Sequence, residues 1–137
     1  MVFFTLGGTG LTPCLQVVRC ILEGPEGEGD LTTFTLLFQN RTESDILLRE
    51  ELDTLASKFS SRFKIIYFLS NPGEASWGSD AQSNEKRGYI NDDAMKKYLS
   101  PDLCQFVGVC GPGGFTESMT KLLTNVGHEG EAAVHVF

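Results

Sequence analysis

The sequence predicts an α/β domain, three layers deep, on a doubly wound five-stranded parallel sheet in the order 3-2-1-4-5. Three observations carry this. Apolar runs of strand length alternate with stretches of helical period. The strand runs are nearly unbroken in apolar content, as expected of strands covered on both faces. Two glycine-rich turns each follow directly on a strand and open a helix.

The expected strands are residues 2–6, 33–39, 63–69, 105–110 and 132–137. Between the first two, Thr12 is placed to cap a helix whose first residue is Pro13, where a missing N–H costs nothing. That helix keeps Gln16, Arg19 and Glu23 on one polar stripe and stops at Gly24-Pro25. Residues 24–30 are glycine- and acid-rich, a solvated turn. A second helix is expected to begin near Thr42-Glu43-Ser44-Asp45, a capping-box spacing, and to bury Leu48, Leu52, Leu55 and Phe59. Residues 71–88 form the one long loop, of a length that is usually functional or mobile. A short helix follows Asn91, and a last one carries Phe115, Met119, Leu122 and Val126 until Gly127 ends it. There is no internal repeat, so residues 1–137 read as a single domain.

Composition narrows the function. The chain is 41% hydrophobic and 21% charged, a globular balance, with a net charge of -7. Phosphate-backbone binding needs a basic surface, so nucleic acid is an unsuitable partner. No apolar run approaches the roughly 18 to 20 residues of a membrane helix, and direct membrane contact is not expected. The apolar start is short, lacks a basic flank, and runs into glycines, so it reads as a strand and not as a signal peptide. The four cysteines, Cys14, Cys20, Cys104 and Cys110, form no C-x-x-C pair and have no histidine at zinc-ligand spacing. No metal is expected, and free thiols point to a reducing, cytoplasmic location. His128 and His135 read as surface or edge histidines.

Chemistry enters at two places. Gly7-Gly8-Thr9-Gly10-Leu11-Thr12-Pro13 lies between a strand and a helix. Glycines there admit a diphosphate close to the backbone, and the helix N-terminus offers N–H groups and a positive dipole end. Pro13 stands where the dinucleotide fingerprint G-x-G-x-x-G has its last glycine, so a plain strand-to-helix turn is the alternative. The second place is Cys110-Gly111-Pro112-Gly113-Gly114-Phe115, at the end of the fourth strand. In the order 3-2-1-4-5 the two turns flank the point where strand order reverses, the usual ligand crevice of such sheets. Cys110 taken alone reads as a small buried hydrophobe.

Together with Phe-Gln-Asn-Arg-Thr-Glu-Ser-Asp-Ile-Leu-Leu-Arg at 38–49 and Gly88-Tyr89-Ile90-Asn91, these motifs have a counterpart. The chain resembles, over essentially its whole length, the NADH domain of cytochrome b5 reductases. That domain belongs with nitrate reductase to the ferredoxin–NADP reductase-like superfamily of flavoproteins, whose nucleotide domain is Rossmann-like. The resemblance implies an oxidoreductase domain that binds NADH or NADPH and offers its nicotinamide to FAD for electron transfer. The electrons then pass to a haem protein such as cytochrome b5. It implies that Gly8, Thr9, Gly10 and Thr12, in the turn closed by Pro13, hold the pyrophosphate. Cys110 is the catalytic candidate beside the nicotinamide, with Gly111 and Pro112 shaping the pocket floor and Phe115 at a Met-or-Phe position. Tyr89 matches an aromatic near the adenosine half, Asn40 a polar residue after the second strand, and Phe137 a terminal aromatic close to the flavin.

Two departures stand out. The animal reductases continue Cys-Gly-Pro with two further prolines, whereas here Gly113-Gly114 loosens the turn. NADH-specific relatives carry an Asp, which repels the 2′-phosphate of NADPH, at the position of Ser70. The overall match favours NADH; Ser70, with Asn71 adjacent and Arg41 nearby, leaves NADPH open. The flavin-binding β-barrel and its Arg-x-Tyr-(Ser/Thr) motif are absent, and Met1 stands just before the first strand. The expectation is therefore a fragment, inactive alone, of a longer flavoprotein. Two other readings remain: a non-catalytic NAD(P)H-sensing regulatory module, and a small α/β domain for another phosphate ligand.

Overall fold

The computed structural model describes residues 1–25, 29–73, 75–80, 82–102, 104–128 and 134–137. Strand β1 (Val2–Gly7) leads through a 3-10 turn (Gly8–Gly10) into helix α1 (Leu11–Glu23). Then come β2 (Phe34–Asn40), a 3-10 turn (Glu43–Asp45), α2 (Arg49–Lys58) and β3 (Phe63–Leu69). The chain continues through β4 (Glu85–Arg87), α3 (Asp92–Tyr98), β5 (Phe106–Cys110), α4 (Gly113–Asn125) and β6 (Val134–Val136).

All six strands form one parallel sheet, ordered β4-β3-β2-β1-β5-β6. The expected α/β class holds, and the five expected strands keep their order. The correction is a sixth strand, β4, inside what the sequence presented as loop 71–88. Its Glu-Lys-Arg sequence has no apolar alternation, because it is an edge strand held by ladder bonds to β3. Residues 132 and 133 of the last expected strand lie outside the described residues.

Two apolar cores follow from this layering. One face of the sheet packs Phe4, Leu6, Phe38, Ile65 and Leu69 against Leu15 and Val18 of α1 and Leu52 and Leu55 of α2. The other packs Leu37, Ile66, Val107 and Val109 against Met95 of α3 and Met119 and Leu123 of α4. Strand β2 is buried along its whole length, so each of its apolar side chains contributes about 1.5–3 kcal/mol.

Local details differ from the sequence reading for identifiable reasons. The 3-10 turn makes Gly10 the cap position of α1, so Thr12 is its second residue and Pro13 its third. Proline is tolerated there because the first-turn N–H groups have no intrahelical partner. The capping box of Thr42 and Asp45 forms, but on the short 3-10 turn; α2 begins only after Leu48, whose φ is 54°. Leu48 is consequently exposed, and Ile46 is buried in its stead. Asn91 caps α3 by accepting from the Ala94 N–H at 3.0 Å. After α4 the N–H groups of Gly127 and His128 bond back to Thr124 and Leu123. That turn carries His128 inward, 5% exposed, where its Nε2 meets the Leu99 carbonyl at the end of α3. The surface expectation for His128 is thus overturned; His135 is exposed as expected.

Candidate functional site

The chain winds from β1 outward to β4 on one side and returns to β5 on the other, so strand order reverses between β1 and β5. Leu6 stands in register with Cys110, which brings the two glycine-rich turns together at the carboxyl ends of those strands. Their contact is close. A Cβ on Gly10 would lie 2.4 Å from the Cys110 carbonyl oxygen, and one on Gly111 would lie 3.2 Å from the Gly7 backbone. Phe115 fills the space where Gly7 lacks a side chain, its ring 2.9 Å from that missing Cβ. Gly8 differs: its φ is +54° and nothing lies within 4 Å of its Cβ position. One glycine of the turn serves packing, and another leaves open space.

That space is a cleft of about 580 Å³. Of the residues singled out in the sequence, Gly8, Thr9, Asn40, Ser70, Tyr89, Pro112 and Phe115 line it. Gly10 is buried behind its wall, Thr12 is exposed on α1, and Pro13 is half-buried. Gly111 is covered by Phe115, and Gly113 is exposed in the first turn of α4. Cys110 does not line the cleft; it packs against the core on the α1 side, near Cys14. Burial pushes its thiol above the ordinary value, so Cys110 is a neutral S–H at physiological pH. Phe137 is half-exposed on that same face, its ring 6.5 Å from Phe4 and its N–H bonded to the Val109 carbonyl at 2.9 Å.

The rim has unused hydrogen-bonding capacity. Asn40 ends β2, is 7% exposed, and its buried Nδ2 has no partner. Helices α1 and α4 both start without a side-chain acceptor at their caps. A buried donor without a partner is costly, so such a group at a cleft wall suits a ligand that accepts a hydrogen bond. Glycine backbone open to the cleft, an orphan amide and two uncapped helix starts fit the polar, anionic surface of a dinucleotide. Among the described residues no cluster of three or more His, Cys, Asp or Glu could hold a metal ion. No helix of these residues is long and apolar enough to cross a membrane.

Sequence reasoning missed Gln39, which also lines the cleft and is 8% exposed. The available signal was a run of apolar residues ending abruptly in Gln-Asn-Arg at the carboxyl end of a buried strand. Arg41, Ser44, Asp45 and Leu47 complete the wall on the α2 side.

Comparison with known proteins agrees with this fold. The oxidoreductase NAD-binding domain family matches residues 4–121. NADH-cytochrome b5 reductase 1 of Mortierella alpina is 36% identical over 129 residues, which cover 93% of this chain and 40% of that protein. NADH-cytochrome b5 reductase 3 of Rattus norvegicus is 37% identical over 127 residues, covering 91% and 39% respectively. The chain thus spans about two-fifths of the length of these relatives. Among solved structures, the cytochrome b5 reductase domain of Ulva prolifera nitrate reductase superposes with a TM-score of 0.83 at 32% identity, covering 99% of this chain and 49% of that one. On the family match over residues 4–121 and the similarity to these relatives, this chain belongs to the oxidoreductase NAD-binding domain family, alongside NADH-cytochrome b5 reductases.

Proposed function

We propose that residues 1–137 form one NADH-binding domain, NADPH being the second candidate, that delivers reducing equivalents to FAD on a separate β-barrel domain of a longer, cytoplasmic flavoprotein. A haem protein such as cytochrome b5 would receive the electrons. The observation that carries this reading is the meeting of the 7–13 and 110–115 turns at the sheet's switch point, with open space above Gly8. The length of the relatives, about two and a half times this chain, supports a flavin domain outside it.

When bound, the reduced dinucleotide supplies the hydride, and no protein acid or base is needed for its transfer to flavin. The protein's part is placement. Gly8, Thr9, Gly10 and Thr12, in the turn that Pro13 closes, would hold the diphosphate through backbone N–H groups and hydroxyls. Asn40 would give its free Nδ2 to a ligand oxygen, and Tyr89, 70% exposed, would stack on the adenosine half. Ser70 contributes no negative charge to repel a 2′-phosphate. Cys110, outside the cleft on the α1 side, would border the nicotinamide where the ligand runs past the Gly111-Pro112 turn, as a neutral, weakly polar surface, with Gly111, Pro112, Gly113 and Phe115 shaping the floor. Phe137, on the Cys110 side of the sheet, would face the flavin domain.

The test is to titrate NADH and NADPH separately against the chain, then to add the flavin domain and follow flavin bleaching. Binding followed by bleaching is the expected result. Binding without bleaching would favour a sensing module, and no binding of either dinucleotide would remove the proposal.

A further inference from the structure

We propose that Gln39 is a positioning residue: its side-chain amide clamps the segment 88–90 so that the Tyr89 ring is held out over the cleft as a fixed platform for a planar base. This rests on the dinucleotide reading above and goes beyond it, because Gln39 need not touch the ligand to act.

The clamp is visible on both sides of Tyr89. The Gln39 Oε1 accepts the Ile90 N–H at 2.9 Å. Its Nε2 donates to the Asn40 carbonyl at 3.1 Å, and at longer range to the Phe68 and Gly88 carbonyls at 3.3 and 3.4 Å. The Gly88 N–H bonds to the Leu69 carbonyl at 2.8 Å, and the Ile90 side chain is buried at 3% exposure. Backbone before and after Tyr89 is therefore tied to the ends of β2 and β3. The ring itself is 70% exposed, the most exposed aromatic side chain among the described residues.

Such an arrangement has a physical purpose. An aromatic ring on a free loop would lose conformational freedom on stacking, which weakens binding; a pre-fixed ring loses little. Fixing it by a buried amide is effective because losing that amide would strand the buried Ile90 N–H. Gln39 stands in register with Gly7 and Phe68, so one residue connects the glycine turn, the end of β3 and the Tyr89 segment. An apolar residue there would fill the same space, but it could hold none of these groups.

The experiment is a double-mutant cycle on dinucleotide affinity, using Gln39→Leu, Tyr89→Ala and the pair, with NADH and ADP-ribose as ligands and thermal melting as the fold control. Gln39→Leu is expected to weaken both ligands about tenfold in the native background, and less than about twofold once Tyr89 is already Ala. Should Gln39→Leu not fold, Gln39→Glu carries the same cycle: it keeps an acceptor for Ile90 and, as a carboxylate, donates to none of the three carbonyls that share the two Nε2 hydrogens. Equal losses with and without the Tyr89 ring would overturn the positioning role while leaving dinucleotide binding intact. Failure of the native chain to bind NADH, NADPH or ADP-ribose would overturn both.

Discussion

Two of the hollows among the described residues are similar in size, and one of this pair resembles a ligand site while the other does not. At the β3–β4 edge a cavity of about 700 Å³ is lined by Arg49, Asp53, Tyr67 and Glu85, among others; the cleft at the switch point has about 580 Å³. In the edge cavity the charges pair with one another. Arg49 bonds Glu43, and Glu85 at 2.7 Å, and lies over the rings of Tyr67 and Trp77. Tyr67 donates to Asp53 at 2.7 Å. Burial alone would lower the Arg49 pKa, but the Glu85 hydrogen bond and the surrounding carboxylates more than offset this and raise it. In the cleft the wall is glycine backbone, an unpartnered Asn40 amide and an exposed Tyr89 ring. Volume therefore says little. Hydrogen-bonding capacity left unspent is what separates a binding site from a structural junction.

The largest expected effect comes from breaking the contact that makes the cleft. Gly10→Ala would drive a Cβ to 2.4 Å from the Cys110 carbonyl, a backbone atom that cannot step aside. We expect a loss of about 3 kcal/mol in urea unfolding and loss of NADH binding. Gly8→Ala meets no neighbour and should cost only about 1 kcal/mol, from its left-handed backbone. Equal costs at the two positions would show that the turns are not pressed together.

The second prediction crosses the two hollows. Arg49→Met should lower stability by about 1 kcal/mol, since it removes the pairs with Glu43 and Glu85 and the contacts over the Tyr67 and Trp77 rings, and leave the NADH dissociation constant unchanged. Asn40→Ala should do the reverse: little change in unfolding, because its Nδ2 bonds nothing in the free protein, and an affinity loss of about tenfold. Paired calorimetry and denaturation settle it. If Arg49→Met weakened binding as much as Asn40→Ala, the distinction between junction and site would be lost.

The sequence made the sheet legible because its central strands are buried on both faces and must be apolar. Where local chemistry competes with burial, legibility ends. Strand β4 is Glu-Lys-Arg and exists through pairing with β3, which no periodicity records. Thr12 has the chemistry of a cap, yet the 3-10 turn before it puts Gly10 in that place. Leu48 keeps the helical spacing but sits at φ 54°, so Ile46 is the residue that enters the core. The site followed the same rule. Gly8, Thr9, Asn40, Ser70, Tyr89, Pro112 and Phe115 were traceable through motif order and converge on the cleft. Gln39 was not, because its task is set by three chain segments that meet only in the fold.

The smallest effect concerns alkaline pH, and it distinguishes the two regions by their onset. Near the cleft, burial pushes Cys14 far above its ordinary value of 9.0, with a smaller contribution from Cys110, whose own thiol is raised by burial. Cys104, before β5 at the opposite end of the strand, is pushed up to about 11, again chiefly by burial. At the edge, Tyr67 is raised above 10.0 by burial and then by its hydrogen bond to Asp53. A raised pKa means that the folded state keeps a proton that the unfolded chain releases, so stability falls as pH rises past the unfolded value. Below pH 9.0 none of these groups contributes a slope; from there the thiols do, and Tyr67 joins only above 10.0. Melting temperatures followed from neutral to strongly alkaline buffer should therefore show two successive declines. Cys14→Ala should make the first shallower and Tyr67→Phe only the second. A Tyr67→Phe variant that flattened the earlier decline would mean that the edge hydroxyl, and not the buried thiols, limits the domain in alkali.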